Sequence, residues 1–146
     1  MNNIWKVCVC GLIRCGDQIL IIKRNPKEND YAGFWEFPSG NLEFEEEIEG
    51  GLRREISEEI GKTFEKEEII LIGSSKYKIE KKDEMRFVIQ LNYLIEVEEK
   101  FTPKLSSEHI DYDWVNNDDS RIDSFLLEII NQIVKRECDL PNAQQL

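Results

Sequence analysis

The stretch GNLEFEEEIEGGLRREISEEIGK, residues 40–62, decides how this chain is read. Residues Glu47 to Ile60 suit a helix, and Gly61 is the residue type preferred just past a helix end. With Leu52 set at zero and about 100° per residue, Ile48 falls at about −40°, Ile56 at about +40° and Ile60 at about +80°. These define a stripe facing a core. Glu59 falls at about −20°, inside that stripe, Glu55 at about −60° on its edge, and Glu58 at about −120° on the same flank. Arg53, Arg54 and Ser57 take the other side.

A solvated acidic face does not set a glutamate among core aliphatics. Exposed like charges four residues apart on a helix, as at Glu55 and Glu59, cost about a few tenths of a kcal/mol. An unpaired buried carboxylate costs roughly several kcal/mol or takes up a proton. Glutamates near a helix C-terminus also oppose the helix dipole. The pattern therefore predicts a positive partner, and hard divalent cations with oxygen ligands are the standard one; Mg²⁺ keeps several waters and is reached together with phosphate oxygens. Glu43, Glu45, Glu46, Glu47 and Glu49 are each read as surface residues.

Outward from this helix, Val7 to Ile13 and Ile19 to Ile22 read as two strands joined by a tight turn at Cys15-Gly16-Asp17-Gln18. Residues 25–34 read as a loop leading into Phe34-Trp35-Glu36-Phe37-Pro38-Ser39-Gly40. Ile69 to Ile72 and Phe87 to Val97 are further β candidates, with Glu80 to Glu84 as an exposed connection. Ile122, Phe125, Leu126, Ile129, Ile130, Ile133 and Val134 have helical spacing behind the capping candidates Asn117, Asp118, Asp119 and Ser120. Residues 140–146 are expected to fray.

The chain has 146 residues, within the range of one compact domain. Nineteen Lys and Arg against 30 Asp and Glu give a net charge of −11, which argues against a nucleic-acid binder needing a basic face. Eight of the glutamates lie between Glu43 and Glu59 against Arg53 and Arg54, so the excess is concentrated in the segment quoted above. No stretch approaches the roughly 18 apolar residues of a membrane span, and the first residues lack a secretory pattern, so a cytoplasmic location is expected. Cys8, Cys10, Cys15 and Cys138 contain no C-x-x-C pair, and buried free thiols rather than a zinc site are expected.

Gly40, five residues, Glu46, seven residues, then Arg54-Glu55-Ile56-Ser57-Glu58-Glu59-Ile60-Gly61 resembles the Nudix box G-x5-E-x7-R-E-U-x-E-E-x-G-U. All eight of these constrained positions agree; only Lys62 replaces the final aliphatic residue. Trp35-Glu36-Phe37-Pro38 and the strand end Lys23-Arg24 resemble the MutT-type branch, and the likeness runs from about Val7 to Val134. Ser39 stands where a second glycine is usual, and Glu45 where a glycine usually precedes the box glutamate. A carbonyl ligand needs no particular side chain, so the first departure is tolerable if the backbone does not require glycine.

The resemblance implies an α/β class fold, a Nudix-type α/β/α sandwich with a mixed β-sheet, filling residues 1–146 as a single domain. It implies hydrolysis of a nucleoside triphosphate to a nucleoside monophosphate and pyrophosphate, clearing oxidised or non-standard nucleotides. It further implies Glu55, Glu58 and Glu59 as metal ligands with the carbonyl of Ser39, and Arg54 as the group orienting the glutamates. Mg²⁺ is the implied cofactor, with Mn²⁺ as an alternative. Glu108 resembles the acidic residue that many members place shortly before a Trp-Val pair, here Trp114-Val115, and is one candidate general base beside the box glutamates. Arg24 would contact phosphate, and Glu36, Phe37 and Asp123 the base; Asp123 would equally serve as a helix cap. An Asp accepts where an Asn can also donate, so a pyrimidine triphosphate is an alternative to oxidised guanine. His109, the single histidine, has no nucleophile motif beside it.

Other readings are an ADP-ribose or dinucleoside polyphosphate pyrophosphatase, and a non-catalytic nucleotide-binding module. The partner expected is a small-molecule nucleotide, with no nucleic acid and no membrane, for a monomer or homodimer.

Overall fold

The computed structural model describes residues 1–27 and 33–139. The fraying expected for residues 140–146 and the middle of the 25–34 loop lie outside these. In order come β1 (Asn2–Cys15), β2 (Gln18–Arg24), β3 (Trp35–Glu36), β4 (Ser39–Asn41), α1 (Ile48–Ile60), a 3-10 turn (Lys66–Glu68), β5 (Ile69–Lys81), β6 (Glu84–Glu96), β7 (His109–Val115) and α2 (Ser124–Asp139).

The sheet is mixed. Its main path runs β3-β2-β1-β6-β5, with β4 added on β1 and β7 on β2. Among the described residues only β1 and β6 run parallel, from Asn2 opposite Glu84 to Arg14 opposite Glu96. The hairpin of β1 and β2 pairs only at its turn, Arg14 with Ile19 and Cys15 with Gln18. Beyond that the two strands part, β4 takes β1 over Cys8 to Cys10, and β7 takes β2 from Ile19 to Arg24. The loop leading out of β4 carries the chain straight into α1.

Strand alternation sorts the apolar side chains onto two faces. Val9 and Ile13 of β1 pack with Leu52, Ile56 and Ile60 of α1. Cys10 and Leu12 point the other way, into a cluster with Phe37 and with Leu126, Ile129 and Ile133 of α2. A helix on each side of a mixed sheet is the α/β sandwich anticipated. Gly61 closes α1 in the left-handed region (φ 68°), where a side chain would be strained, and its N–H bonds the Ser57 carbonyl.

Several expectations need correction. Residues 106–114 carry no strand signal of their own, yet His109–Val115 is a strand antiparallel to β2, because Ile19 to Ile22 offer it a buried edge. The charged connection at 80–84 shrinks to Lys82-Asp83, since β5 and β6 continue past their apolar stretches as a paired ribbon. Ile48 sits at the helix start with 39% of its surface exposed, so the core stripe of α1 begins at Leu52. Cys8 and Cys10 are buried free thiols as expected, but Cys138 on α2 is exposed and Cys15 is half-buried.

The cap of α2 is not supplied by residues 117–120. Asp119 instead binds Arg121 within its own turn, and Asp123 accepts the Leu126 N–H at 2.8 Å through Oδ1. Asp123→Ala is expected to lower stability by about 1 kcal/mol, roughly 2–4 °C in Tm, as seen by thermal unfolding, while Asp123→Asn retains most of it.

Candidate active site

The three carboxylates singled out on α1 share one side of the helix but differ in burial, according to where each falls around its axis. Glu59, the penultimate residue of α1 and between Ile56 and Ile60 on the core face, is 3% exposed. Its Oε1 accepts the backbone N–H of Ser39 at 2.9 Å, tying the end of α1 to β4. Glu55 lies one turn earlier, half-buried, and Glu58 is exposed on the flank beside them. Burial drives the Glu59 carboxyl well above its ordinary pKa, and the charges of Glu36, Glu55 and Glu108 push the same way against the Ser39 N–H. Burial also raises Glu55, against the pull of Arg54, with Glu58 and Glu108 adding to the rise. Glu108, exposed in the turn before β7, thus belongs to the field of this cluster.

Arg54 is the organising cation. Its Nε and Nη2 bind the two oxygens of Glu46 at 3.0 and 2.8 Å, a bidentate pair. Nη1 reaches Glu55 at 2.9 Å and Glu58 at 3.4 Å, and Nη2 also donates to the Asn41 carbonyl at 3.2 Å. Glu46 was expected as one more surface glutamate; the arginine and the Glu43 N–H hold it half-buried with its pKa lowered to about 2. Arg54 therefore ties the loop after β4 to the first two metal-ligand candidates.

Arg54 does not reach Glu59; among the described residues the innermost carboxylate accepts the Ser39 N–H, faces His109 Nε2 at 3.6 Å and has no arginine or lysine partner. An all-oxygen set of carboxylates with one member buried and without an arginine or lysine on it fits a hard divalent ion. Gly40 makes room for the Glu55 carboxylate: a Cβ built there would lie 2.0 Å from its carboxyl carbon. The resemblance assigns Glu55, Glu58, Glu59 and the Ser39 carbonyl to an ion; among the described residues the ligand atoms that lie within 4.8 Å of one another are those of Glu36, Glu59 and His109, so Glu59 is common to both sets. With metal removed by chelator, Glu59→Gln is expected to raise stability at neutral pH, by about 2–4 °C in Tm for each kcal/mol of relieved burial. A lower Tm for that variant would show the carboxylate to be compensated.

A cavity of about 360 Å³ opens beside this cluster, within the range of small-ligand pockets. Glu36, Phe37 and Asp123, the three residues expected to face a base, all line it, with Trp35 and Phe125 among its apolar walls. Phe37 does so as a core residue, 1% exposed. Ser39 lines the cavity as well, so one residue is shared between the carboxylate cluster and the cavity. Arg24, at the end of β2, binds Glu36 at 3.0 Å.

His109 was the residue whose part the sequence did not disclose. At the start of β7 it stands opposite Arg24, and its buried Nε2 lies 2.8 Å from Glu36 Oε1 and 3.6 Å from Glu59 Oε2. Nothing in its local sequence signals this; only the pairing of β7 with β2 brings it there.

The family model for the NUDIX domain matches residues 3–133. The 8-oxo-dGTP diphosphatase of Proteus vulgaris is 48% identical over 42 residues, 29% of this chain and 38% of that protein. The nucleoside triphosphatase NudI of Escherichia coli O139:H28 is 28% identical over 120 residues, covering 78% of this chain and 84% of that protein. Among solved structures, the MutT protein of Methanosarcina mazei Go1 shares the fold with a TM-score of 0.75 at 23% identity, over 96% of this chain and 99% of that one. The match across residues 3–133, on a mixed sheet between two helices that carries the carboxylate motif, means that the chain belongs to the NUDIX domain family.

Proposed function

We propose that the chain hydrolyses a nucleoside triphosphate to nucleoside monophosphate and pyrophosphate, with Mg²⁺ or Mn²⁺ as cofactor, and clears oxidised or non-standard nucleotides. The observation that carries this is the sharing of Ser39: its N–H holds Glu59 in the carboxylate cluster, and the residue also lines the 360 Å³ cavity. A nucleoside seated in that cavity directs its phosphates toward the cluster. The two curated relatives named above both bear names of enzymes acting on nucleoside triphosphates, which favours that substrate class.

When bound, a divalent cation supplies neutralisation of phosphate charge and acidification of water. The chain's own residues do the rest. Arg54 fixes Glu55 and Glu58 in place, and the Ser39 N–H fixes Glu59. Glu108 is the proposed acceptor of the proton from the attacking water, since it is solvent-exposed and its charge reaches both Glu55 and Glu59. Arg24 holds Glu36 against the cavity, and the apolar walls exclude water from one face of the base.

The test is product analysis with Mg²⁺ across normal and oxidised (d)NTPs, ADP-ribose and a dinucleoside polyphosphate. Monophosphate and pyrophosphate in equal amounts from a triphosphate support the proposal. Preferential cleavage of ADP-ribose or the dinucleoside substrate would replace it, and binding without cleavage would indicate a non-catalytic module.

A further inference from the structure

We propose that His109 is a positioning residue that sets Glu36 as a one-sided acceptor in the cavity, so that the site prefers nucleotides whose base carries an exocyclic amino group over their keto counterparts. This rests on the reading of the cavity as a nucleoside site. It adds a residue outside the carboxylate motif and a chemical criterion for the base.

The argument begins with which oxygen of Glu36 is used. Oε1 accepts from Arg24 Nη1 at 3.0 Å and from His109 Nε2 at 2.8 Å, so both protein donors converge on one atom. A carboxylate only accepts, so the hydrogen of the imidazole sits on Nε2. Glu36 Oε2 has no hydrogen-bond partner among the described residues, and Glu36 lines the cavity with 24% of its side chain exposed. Two donors that saturate one oxygen fix the rotation of the carboxyl group and present the other oxygen as an acceptor.

Ser39, Lys78 and the second amide N–H of Gln90 bring donors to the cavity lining, but among the described residues none of them is hydrogen-bonded to Glu36 Oε2, which stays open to a ligand. Asp123 uses Oδ1 on the Leu126 N–H, so its second oxygen is an acceptor too. Gln90 spends one amide N–H on Asn92 and its carbonyl on the Tyr77 hydroxyl. An amino group meeting Glu36 Oε2 donates a charge-assisted hydrogen bond. A keto oxygen there sets lone pairs against lone pairs and leaves both acceptors unsatisfied.

The imidazole itself is costly where it stands. Its side chain is fully buried, and Nδ1 has no hydrogen-bond partner. A purely structural position at the head of a strand would be filled more cheaply by an aliphatic residue, which has no polar atom to leave unpaired. What the histidine contributes that an aliphatic residue cannot is the Nε2–H aimed at Glu36.

The test uses pairs of nucleotides of nearly equal size that exchange amino for keto: CTP against UTP and ATP against ITP. kcat/KM is measured with Mg²⁺, and equilibrium binding of the corresponding monophosphates is measured in chelator. The amino member of each pair is expected to be favoured on the order of ten- to a hundredfold in both assays, through KM rather than kcat. Glu36→Gln is expected to invert the preference, because Arg24 and His109 still claim its oxygen and turn the new amide N–H₂ into the cavity. His109→Phe should bring each pair close to parity, and His109→Gln, which returns an N–H near the position of Nε2, should restore the preference. If His109→Phe does not fold, the isosteric Glu36→Gln still decides.

Equal use of amino and keto members by the unmodified protein, or a preference untouched by Glu36→Gln and His109→Phe, overturns the inference and leaves the hydrolase reading standing. Selective monophosphate binding without hydrolysis of any triphosphate supports the inference and overturns the hydrolase reading. Absence of both overturns both.

Discussion

Glu58→Gln is expected to lower turnover at saturating Mg²⁺ by on the order of 10²–10³-fold, the loss of a few kcal/mol of transition-state stabilisation, while thermal unfolding stays within about 2 °C of the unmodified protein. The two halves of this expectation have separate causes. Glu58 is 59% exposed in its side chain and its link to protein is a 3.4 Å contact with Arg54, so removing its charge disturbs little of the fold. Exposed pairs of this kind contribute about 0–1 kcal/mol. Activity is another matter, because Glu58 stands on the flank of Glu55 and Glu59, where a divalent ion would be held. Turnover close to that of the unmodified protein would take Glu58 out of the metal site. A large loss of Tm together with lost turnover would mean that it serves the fold.

Gly40→Ala is expected to reduce kcat on the order of 10²-fold by a different route, displacement rather than loss of a charge. The added methyl would lie 2.0 Å from the carboxyl carbon of Glu55 and 2.2 and 2.5 Å from its two oxygens, closer than any stable contact. The carboxyl group must move, and moving it breaks the 2.9 Å bond from Arg54 Nη1. Gly50→Ala is the matched control: its new methyl would have Glu47 Cβ as nearest neighbour at 3.8 Å, an ordinary contact, and alanine favours the helix by roughly 0.5–1 kcal/mol. Full activity in Gly50→Ala with loss in Gly40→Ala ties the effect to the position of Glu55. Equal activity in both would show that the place of Glu55 is not critical.

Much of this site was legible along the chain because it lies on one helix. The 3.6-residue period alone set Glu59 among Leu52, Ile56 and Ile60, and Glu59 is buried there. The turn at Gly16, the stop at Gly61 and the apolar stripe of α2 are likewise local signals. What the sequence did not disclose depends on partners distant along it. Glu46 looks like its neighbours Glu45 and Glu47 until Arg54, eight residues on, closes a bidentate pair with it. Residues 109–115 carry Asp111, Asp113 and His109 among few aliphatics, and become a strand because β2 has an open edge after parting from β1. The meeting of His109 with Glu36 and Glu59 depends on that pairing. Asp123 could be read as a cap or as a base contact; it caps α2 and lines the cavity.

The acidic segment between Glu43 and Glu59 holds most of the chain's charge excess, and the account turns on Glu59, which Arg54 does not reach, binding a divalent cation together with Glu55 and Glu58. Titration of Mn²⁺ into the full chain, read by the loss of the free-ion electron paramagnetic resonance signal without any nucleotide, tests this directly. Saturable binding that is abolished in Glu59→Gln and strongly weakened in Glu58→Gln, with both variants folded, is the predicted result. Mn²⁺ binding unchanged by either substitution, or no binding by the unmodified protein, would contradict the account.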